Sequence, residues 1–436
     1  MRLNDERIPR TRFIRKERLL KATFPARWAA AFATLLASAA MAAEWPQYRG
    51  PNHDGITSDK IMTQWPSGGP KKLWEIPLGS SLGTFVNGDK KVYVYQMRGK
   101  STDGFETLTA LNPANGQVVW SRDIDKAEGY KSGGGDGPRS SPTFNDGKVY
   151  VLSTYLKLAC VDSADGRVIW GHDLKAEFHG KEPAWGNACS PFIDGNLVLV
   201  CCGGKGESLI AFDKKTGKVA WKGQDDKPTH ATPVPAELGG VHQIVFFTVT
   251  GLVSVKPESG EVLWRQPYKF STSTAASPVV CGDDIVYCSA GYGVGGGAYQ
   301  IKKEGDKFTS TELWRKVGGD INHWSTPVYK DGYLYGLYGF KEFHSEPLKC
   351  IDVKTGEEKW SQKGFGQGQV ELVDGNLLIV GDQGELVLAT PSPEGYKEIA
   401  RCHPITGKCW TEPAVADGKI YLRSQTGAVA LDATPK

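Results

Sequence analysis

The sequence predicts an all-β fold, an eight-bladed β-propeller in which an N-terminal strand completes the last blade. Three observations predict it. A Gly-x-x-x-Trp motif recurs along most of the chain, and a Ser/Thr-Pro dipeptide followed by an Asp-Gly hairpin recurs ahead of it. The last repeat also stops short of its final strand, while a strand without a repeat lies near the other terminus. Four-stranded repeats of about 40–50 residues are propeller blades.

The first motif has the form small-apolar-Asp-x-x-small-Gly-x-x-x-Trp. It is carried by Ala110…Gly116…Trp120, Cys160…Gly166…Trp170, Ala211…Gly217…Trp221, Ser254…Gly260…Trp264 and Cys350…Gly356…Trp360. These glycines are 50, 51, 43 and 96 residues apart, and the double interval holds a degenerate copy at Trp314. A large apolar Trp at this place is expected to pack between neighbouring blades.

The second column reads Ser141-Pro142, Ser190-Pro191, Thr232-Pro233, Ser277-Pro278, Thr326-Pro327 and Glu412-Pro413. After most of these comes Asp-Gly flanked by alternating apolar residues, as at Asp146-Gly147, Asp194-Gly195, Asp331-Gly332 and Asp417-Gly418. That dipeptide is a strong hairpin signal, because both turn residues must take positive φ. Each repeat therefore reads as four strands. The first carries Ser/Thr-Pro, the second follows Asp-Gly, the third ends at the motif Asp and the fourth bears the Trp. Blades begin near Phe85, Ser141, Ser190, Thr232, Ser277, Thr326, Val370 and Glu412.

The eighth repeat has a third strand at Val429–Asp432 and no Trp strand. Lys72-Leu73-Trp74-Glu75-Ile76 supplies the missing piece. Its pairing with the C-terminal strands would remove two open sheet edges.

Ahead of the repeats, nine basic residues lead into an apolar, Ala-rich run that ends in Ala40-Met41-Ala42. This is the layout of a Sec-type signal peptide, and the run is too short for a spanning helix. The expected organisation is a signal over 1–43, an N-terminal extension over 44–70 and the propeller over 71–436. The formal charge of the whole chain is +3, but nine of its 52 basic and three of its 49 acidic residues fall in 1–43. What remains is 43 basic against 46 acidic, a net of −3, which offers no basic field for nucleic acid or anionic lipid. The mature chain is expected to be a periplasmic monomer without a transmembrane segment.

The repeat resembles that of the PQQ quinoproteins and of BamB-type outer-membrane assembly propellers, over residues 71–432. Trp45-Pro-Gln-Tyr-Arg-Gly-Pro-Asn-His-Asp-Gly55 and Gly407-Lys-Cys-Trp-Thr411 are similar to segments of exported PQQ-binding-like propeller repeat proteins. The resemblance implies a quinoprotein-like propeller and leaves activity open, since fold does not fix function. A working quinoprotein would need PQQ, Ca²⁺ and, typically, a disulfide between adjacent cysteines against the cofactor. Cys201-Cys202 are adjacent but end the second strand of a blade, and no Cys-x-x-Cys-His is present to attach a haem. No cofactor is therefore expected; in the alternative, the cofactors are PQQ and Ca²⁺.

Nine cysteines are present. Cys160 and Cys350 occupy a small-residue column and read as packing groups. Cys402 and Cys409 flank a short loop and are the disulfide candidates, and Cys189 faces Cys201-Cys202 across a hairpin. None of the spacings reads as a zinc site. Gly291–Gly297 and Gly203–Gly206 are Gly-rich but lack a following helix whose N-terminus would hold a phosphate, so they read as inter-strand loops.

The first strands should line the central channel, so residues at their starts face one mouth. The ligand candidates are Arg139, Trp185, Asn187, His230, Asn322, His323, Trp324, Gln369, Trp410 and Glu412, which converge there with stacking and hydrogen-bonding groups. No nucleophile–base pair or carboxylate dyad stands out, so no catalytic or metal residue is assigned. The sequence thus reads as a non-catalytic binding or scaffolding propeller of the periplasm or cell envelope, with an envelope protein or a small ligand as partner. A PQQ- and Ca²⁺-dependent alcohol or sugar dehydrogenase is the alternative, and carbohydrate or peptide binding at the Trp-rich mouth is a third reading.

Overall fold

Strand pairing follows the repeat. The computed structural model describes residues 44–100, 102–127, 137–268, 270, 274–318, 322–339 and 346–435, so the expected signal over 1–43 lies outside the described residues. Eight antiparallel sheets form the blades. Blade 2 is typical, running outward from the channel through Thr143–Asn145, Lys148–Leu152, Lys157–Asp162 and Val168–Asp173. Each Ser/Thr-Pro lies just ahead of the inner strand rather than within it, because Pro has no N–H to give to a ladder. All but one of the Asp-Gly hairpins take the expected geometry; at Asp194-Gly195 only Gly195 has positive φ, because Asp194 still belongs to the strand Phe192–Asp194. Asp146 and Gly147 have φ of 49° and 70°, and the pairs at 331–332, 374–375 and 417–418 are also positive at both residues.

The structure explains both recurring columns as contacts between blades. Each motif Gly sits at positive φ under the Trp of the preceding blade. A Cβ on Gly166 would lie 2.6 Å from the Trp120 ring, and Gly217, Gly260 and Gly356 stand likewise under Trp170, Trp221 and Trp314. The indole N–H then donates to a carbonyl of the same turn, Trp120 to Ser163 O at 3.0 Å and Trp170 to Lys214 O at 3.1 Å. Blade 5 has no such Gly turn, and Trp264 of blade 4 donates instead to Gln243 of its own sheet.

The Ser/Thr column forms a hydrogen-bonded belt around the channel. Thr84 N donates to Ser141 Oγ, Ser141 N to Ser190 Oγ, Ser190 N to Thr232 Oγ1 and Ser277 N to Thr326 Oγ1, all at 2.9–3.0 Å. Thr84 Oγ1 donates to Glu412 O at 2.8 Å, which joins the eighth blade to the first. Apolar side chains cluster between adjacent sheets, such as Val86, Tyr93 and Tyr95 of blade 1 against Val149, Val151 and Val161 of blade 2.

Blade 8 consists of Ala414–Ala416, Lys419–Arg423 and Gly427–Asp432, and its outer strand is Lys71–Pro77. Trp74 lies opposite Ala430. It packs on Gly116 of blade 1 and donates to Pro113 O at 3.0 Å, the same docking that links the other blades. No helix among the described residues is long and apolar enough to cross a membrane.

Candidate functional site

The residues just upstream of that strand enter the channel. Asn87 N donates to Trp45 O and Phe144 N to Pro46 O, which anchors the segment to the inner strands of blades 1 and 2. His53 lies on Phe192 of blade 3 at 4.5 Å between ring centroids. Ile56–Thr57 pairs in parallel with Gln369–Val373, the inner strand of blade 7. Gly55 is needed where the chain turns, at φ 75°, since a Cβ there would strike Glu371 and the Arg49 guanidinium. Residues 45–57 therefore plug the channel.

Arg49 is the centre of the plug. Its Nη1 donates to Thr326 O at 2.8 Å, and its Nη2 to Asp54 O and Pro327 O at 2.8 and 2.9 Å. Glu412 Oε1 stands 3.7 Å from Nη1, and Glu412 Oε2 accepts from Arg49 N at 3.3 Å. Glu371 is buried beside this pair, with neither carboxylate oxygen hydrogen-bonded. Burial raises both acids, Glu412 to about 7 and Glu371 well above the ordinary range, while the Arg49 charge opposes the rise. One cation serves two carboxylates, so near neutral pH the cluster holds a proton and is close to electroneutral.

Above the plug lies a blind cup of about 340 Å³, floored by Tyr48, Gln369 and Glu412 and ringed by the starts of the inner strands. In blades 7 and 8 the belt position falls to Gln369 and Glu412 instead of Ser or Thr, which places an amide and a carboxyl at the floor. The walls are aromatic. Trp324 of blade 6 stacks on Trp410 of blade 8 at 4.7 Å, bridging over blade 7. Trp185 stacks on Tyr292 at 5.9 Å and 7°, and His323 links the two stacks at 5.2 Å from Tyr292 and 4.9 Å from Trp324. Trp185 and Tyr292 both have positive φ, at 68° and 59°, a conformation uncommon for bulky residues and concentrated at binding sites. Arg139 lines the cup, and Lys408 Nζ lies 4.3 Å above the Trp410 ring.

Eight of the ten sequence candidates line this cup: Arg139, Trp185, His230, His323, Trp324, Gln369, Trp410 and Glu412. Asn187 and Asn322 do not. Asn187 Nδ2 donates to Ser153 O and Cys189 O, and Asn322 accepts from Tyr287 and donates to Leu337 O. Both are buried braces beneath the loops, with amides already engaged. His230 is neutral, pushed down to about 4 by burial, with Nε2 at 2.8 Å from Ala184 O.

The expected Cys402–Cys409 disulfide is not formed, and all nine cysteines are free, buried thiols. Cys402 ends the outer strand Lys397–Cys402 and packs on Gly69. The chain then folds over the blade with Ile405 buried, and Cys409 N donates to Asp382 O at 2.9 Å.

Sequence reasoning missed Tyr48, Arg49, Glu371, Tyr292 and Lys408. A lone Tyr in the Gly-rich 291–297 loop was a signal for Tyr292, and the conspicuous 45–55 segment was one for Tyr48 and Arg49. Nothing in a strand reading Gln-Val-Glu-Leu-Val singles out Glu371.

A sequence model of the family described as outer membrane protein assembly factor BamB matches residues 104–362. Outer membrane protein assembly factor BamB of Moranella endobia is 25% identical over 296 residues, 64% of this chain and 70% of that protein. Quinoprotein alcohol dehydrogenase PedH of Pseudomonas putida is 30% identical over 145 residues, which are 30% of this chain and 23% of the enzyme. Among solved structures, BamB from Moraxella catarrhalis superposes with a TM-score of 0.58 at 13% identity, over 84% of this chain and 98% of that one.

PQQ with Ca²⁺, which the quinoprotein likeness implies, does not fit the cup. Ca²⁺ takes six to eight oxygen ligands, with carboxylates prominent among them. Glu412 is the cup's one carboxylate among the described residues, and Arg49 already holds it. No group of three or more His, Cys, Asp or Glu side chains is placed to hold a metal among those residues. Cys201 and Cys202 are unbonded and buried within blade 3, away from the cup lining.

Proposed function

Because the chain belongs to the family of the outer membrane protein assembly factor BamB, we propose that it is an exported, non-catalytic propeller of the cell envelope. It scaffolds or binds there through the aromatic cup at one end of its channel. The observation that carries this reading is the cup itself. It gathers stacking rings and hydrogen-bonding groups around a floor sealed by the protein's own N-terminal segment. Two of the cup's groups that could do acid–base chemistry are engaged elsewhere, Glu412 with Arg49 and His230 with a backbone carbonyl. Such a site recognises and holds a molecule without transforming it.

The test sets this against the dehydrogenase. The purified full chain is incubated with PQQ and Ca²⁺, desalted, and assayed for quinone absorbance and for dye reduction with alcohols and sugars. Neither is expected, while cross-linking in cells followed by affinity purification should recover an envelope protein. Retained quinone with dye reduction overturns the proposal, as does finding the chain in the cytoplasm.

A further inference from the structure

Two oxygen atoms at the cup floor lack the partner that buried acceptors require. Gln369 Nε2 donates to Trp410 O at 2.9 Å and Trp324 O at 3.4 Å, which fixes the amide so that Oε1 is the free end. That Oε1 is buried and accepts nothing. Glu412 Oε1 also accepts no hydrogen bond: Arg49 Nη1 stands 3.7 Å away as an ion-pair partner but gives its N–H to a backbone carbonyl. The two residues are 4% and 3% exposed, and both line the cup. Leaving a buried acceptor unsatisfied is costly, so the floor favours an occupant that brings donors.

The rest of the cup narrows the kind of donor. Arg49 is matched by two carboxylates that share a proton, so the floor has no excess negative charge to attract a cation. Arg139 on the wall, and Lys408 over the ring of the wall residue Trp410, disfavour an ammonium group. Neutral hydroxyls satisfy the acceptors without that conflict. The stacked walls offer flat apolar surfaces for the C–H faces of a sugar ring, with Arg139 donating from the side. The plug seals the far end, so the 340 Å³ cup admits a compact molecule and not a threaded chain.

We propose that the cup binds a neutral saccharide, its hydroxyls donating to Gln369 Oε1 and Glu412 Oε1 and its ring seated against Trp324–Trp410 and Trp185–Tyr292. This rests on the reading of the cup as a binding site. The full chain would be titrated with maltose, cellobiose, lactose and N,N′-diacetylchitobiose, followed by tryptophan fluorescence and calorimetry, with spermidine and trialanine as cationic and peptide probes.

At least one disaccharide should bind saturably and shift the fluorescence. Gln369→Leu should weaken that binding about tenfold, as loss of one hydrogen bond does. Trp185→Ala, in a partly exposed loop, should weaken it comparably and serves if Gln369→Leu fails to fold. A flat response to every disaccharide, unchanged affinity in a folded variant, or binding of spermidine or trialanine in their place would overturn the inference. If no saccharide binds and PQQ also supports no dye reduction, the saccharide assignment falls while the non-catalytic reading stands.

Discussion

His53 and His230 are imidazoles that the fold takes out of water, and both stay neutral because burial disfavours the charged ring. His53 is pushed down to about 3, with help from the Arg49 charge, and His230 to about 4. In the unfolded chain both would titrate near 6.5. Between about pH 6.5 and 4 the unfolded state therefore binds more protons, and stability rises with pH. The contribution is complete above 6.5 and is lost as the pH falls toward the folded values. Melting temperatures measured from pH 8 to pH 4 should fall less steeply for the His53→Gln, His230→Gln double variant than for the wild type. Glu412 works in the opposite sense. Its folded value lies above that of the free acid, so its contribution is present below about 4.5 and is lost as pH rises to about 7. At pH 5 it is protonated and resembles an amide. At pH 8 it is ionised in a buried place that disfavours charge, and Arg49 offsets only part of that penalty. Glu412→Gln should leave the melting temperature unchanged at pH 5 and raise it at pH 8, by on the order of 1 kcal/mol of stability. A difference that shrinks with rising pH would contradict the shared-proton account.

At the scale of the element, the unit of cohesion is one indole seated on the next blade's Gly turn. Gly166 has φ 73° and a Trp120 ring atom 2.6 Å from where a Cβ would go. Gly195 also has positive φ, 52°, with open space around the same position. Left-handed backbone alone costs a non-Gly residue about 1–2 kcal/mol, so Gly195→Ala should lose about that much. Gly166→Ala must also push Trp120 off its carbonyl partner and should lose about 3–4 kcal/mol in urea melts. Equal losses would mean that the Gly column reflects turn geometry alone. The same comparison shows what was legible in the sequence. A contact repeated from blade to blade selects the same residue each time, so the Gly–Trp and Ser/Thr-Pro columns carried the fold. The candidate site was legible where it departs from a column, as at Gln369 and Glu412, or precedes one, as at Arg139 and Trp324. The plug was not legible. Arg49 meets Thr326 and Glu412 across more than 270 residues, and each contact is made once. Glu371 was hidden in the same way, because its partner arrives from outside the repeat.

For the molecule as a whole, residues 44–77 do two jobs: the outer strand of blade 8 and the plug in the channel. A rearranged chain separates them. Lys71 lies opposite Asp432 and Pro77 opposite Gly427, so the strand occupies the register that a direct connection from the third strand would give it. Other blades make that connection with a short Asp-x-x-Thr-Gly turn, such as Asp213 to Gly217. A circular permutant starting at Leu78, with Asp432 joined through such a turn to Lys71–Pro77, keeps Trp74 on Gly116 and omits residues 44–70. Without Arg49, Glu371 and Glu412 lose their cation, but an open channel lets water reach them, which limits the cost of the unpaired charges. The permutant should therefore stay soluble and unfold in one cooperative calorimetric transition, at a lower temperature than the wild type. Simple deletion of 44–77 instead leaves Gly427–Asp432 as a bare edge and the Gly116 turn without its indole. Exposed edges of this kind template association, and that variant should aggregate. If the permutant aggregates as readily as the deletion, the plug rather than the strand holds the ring together.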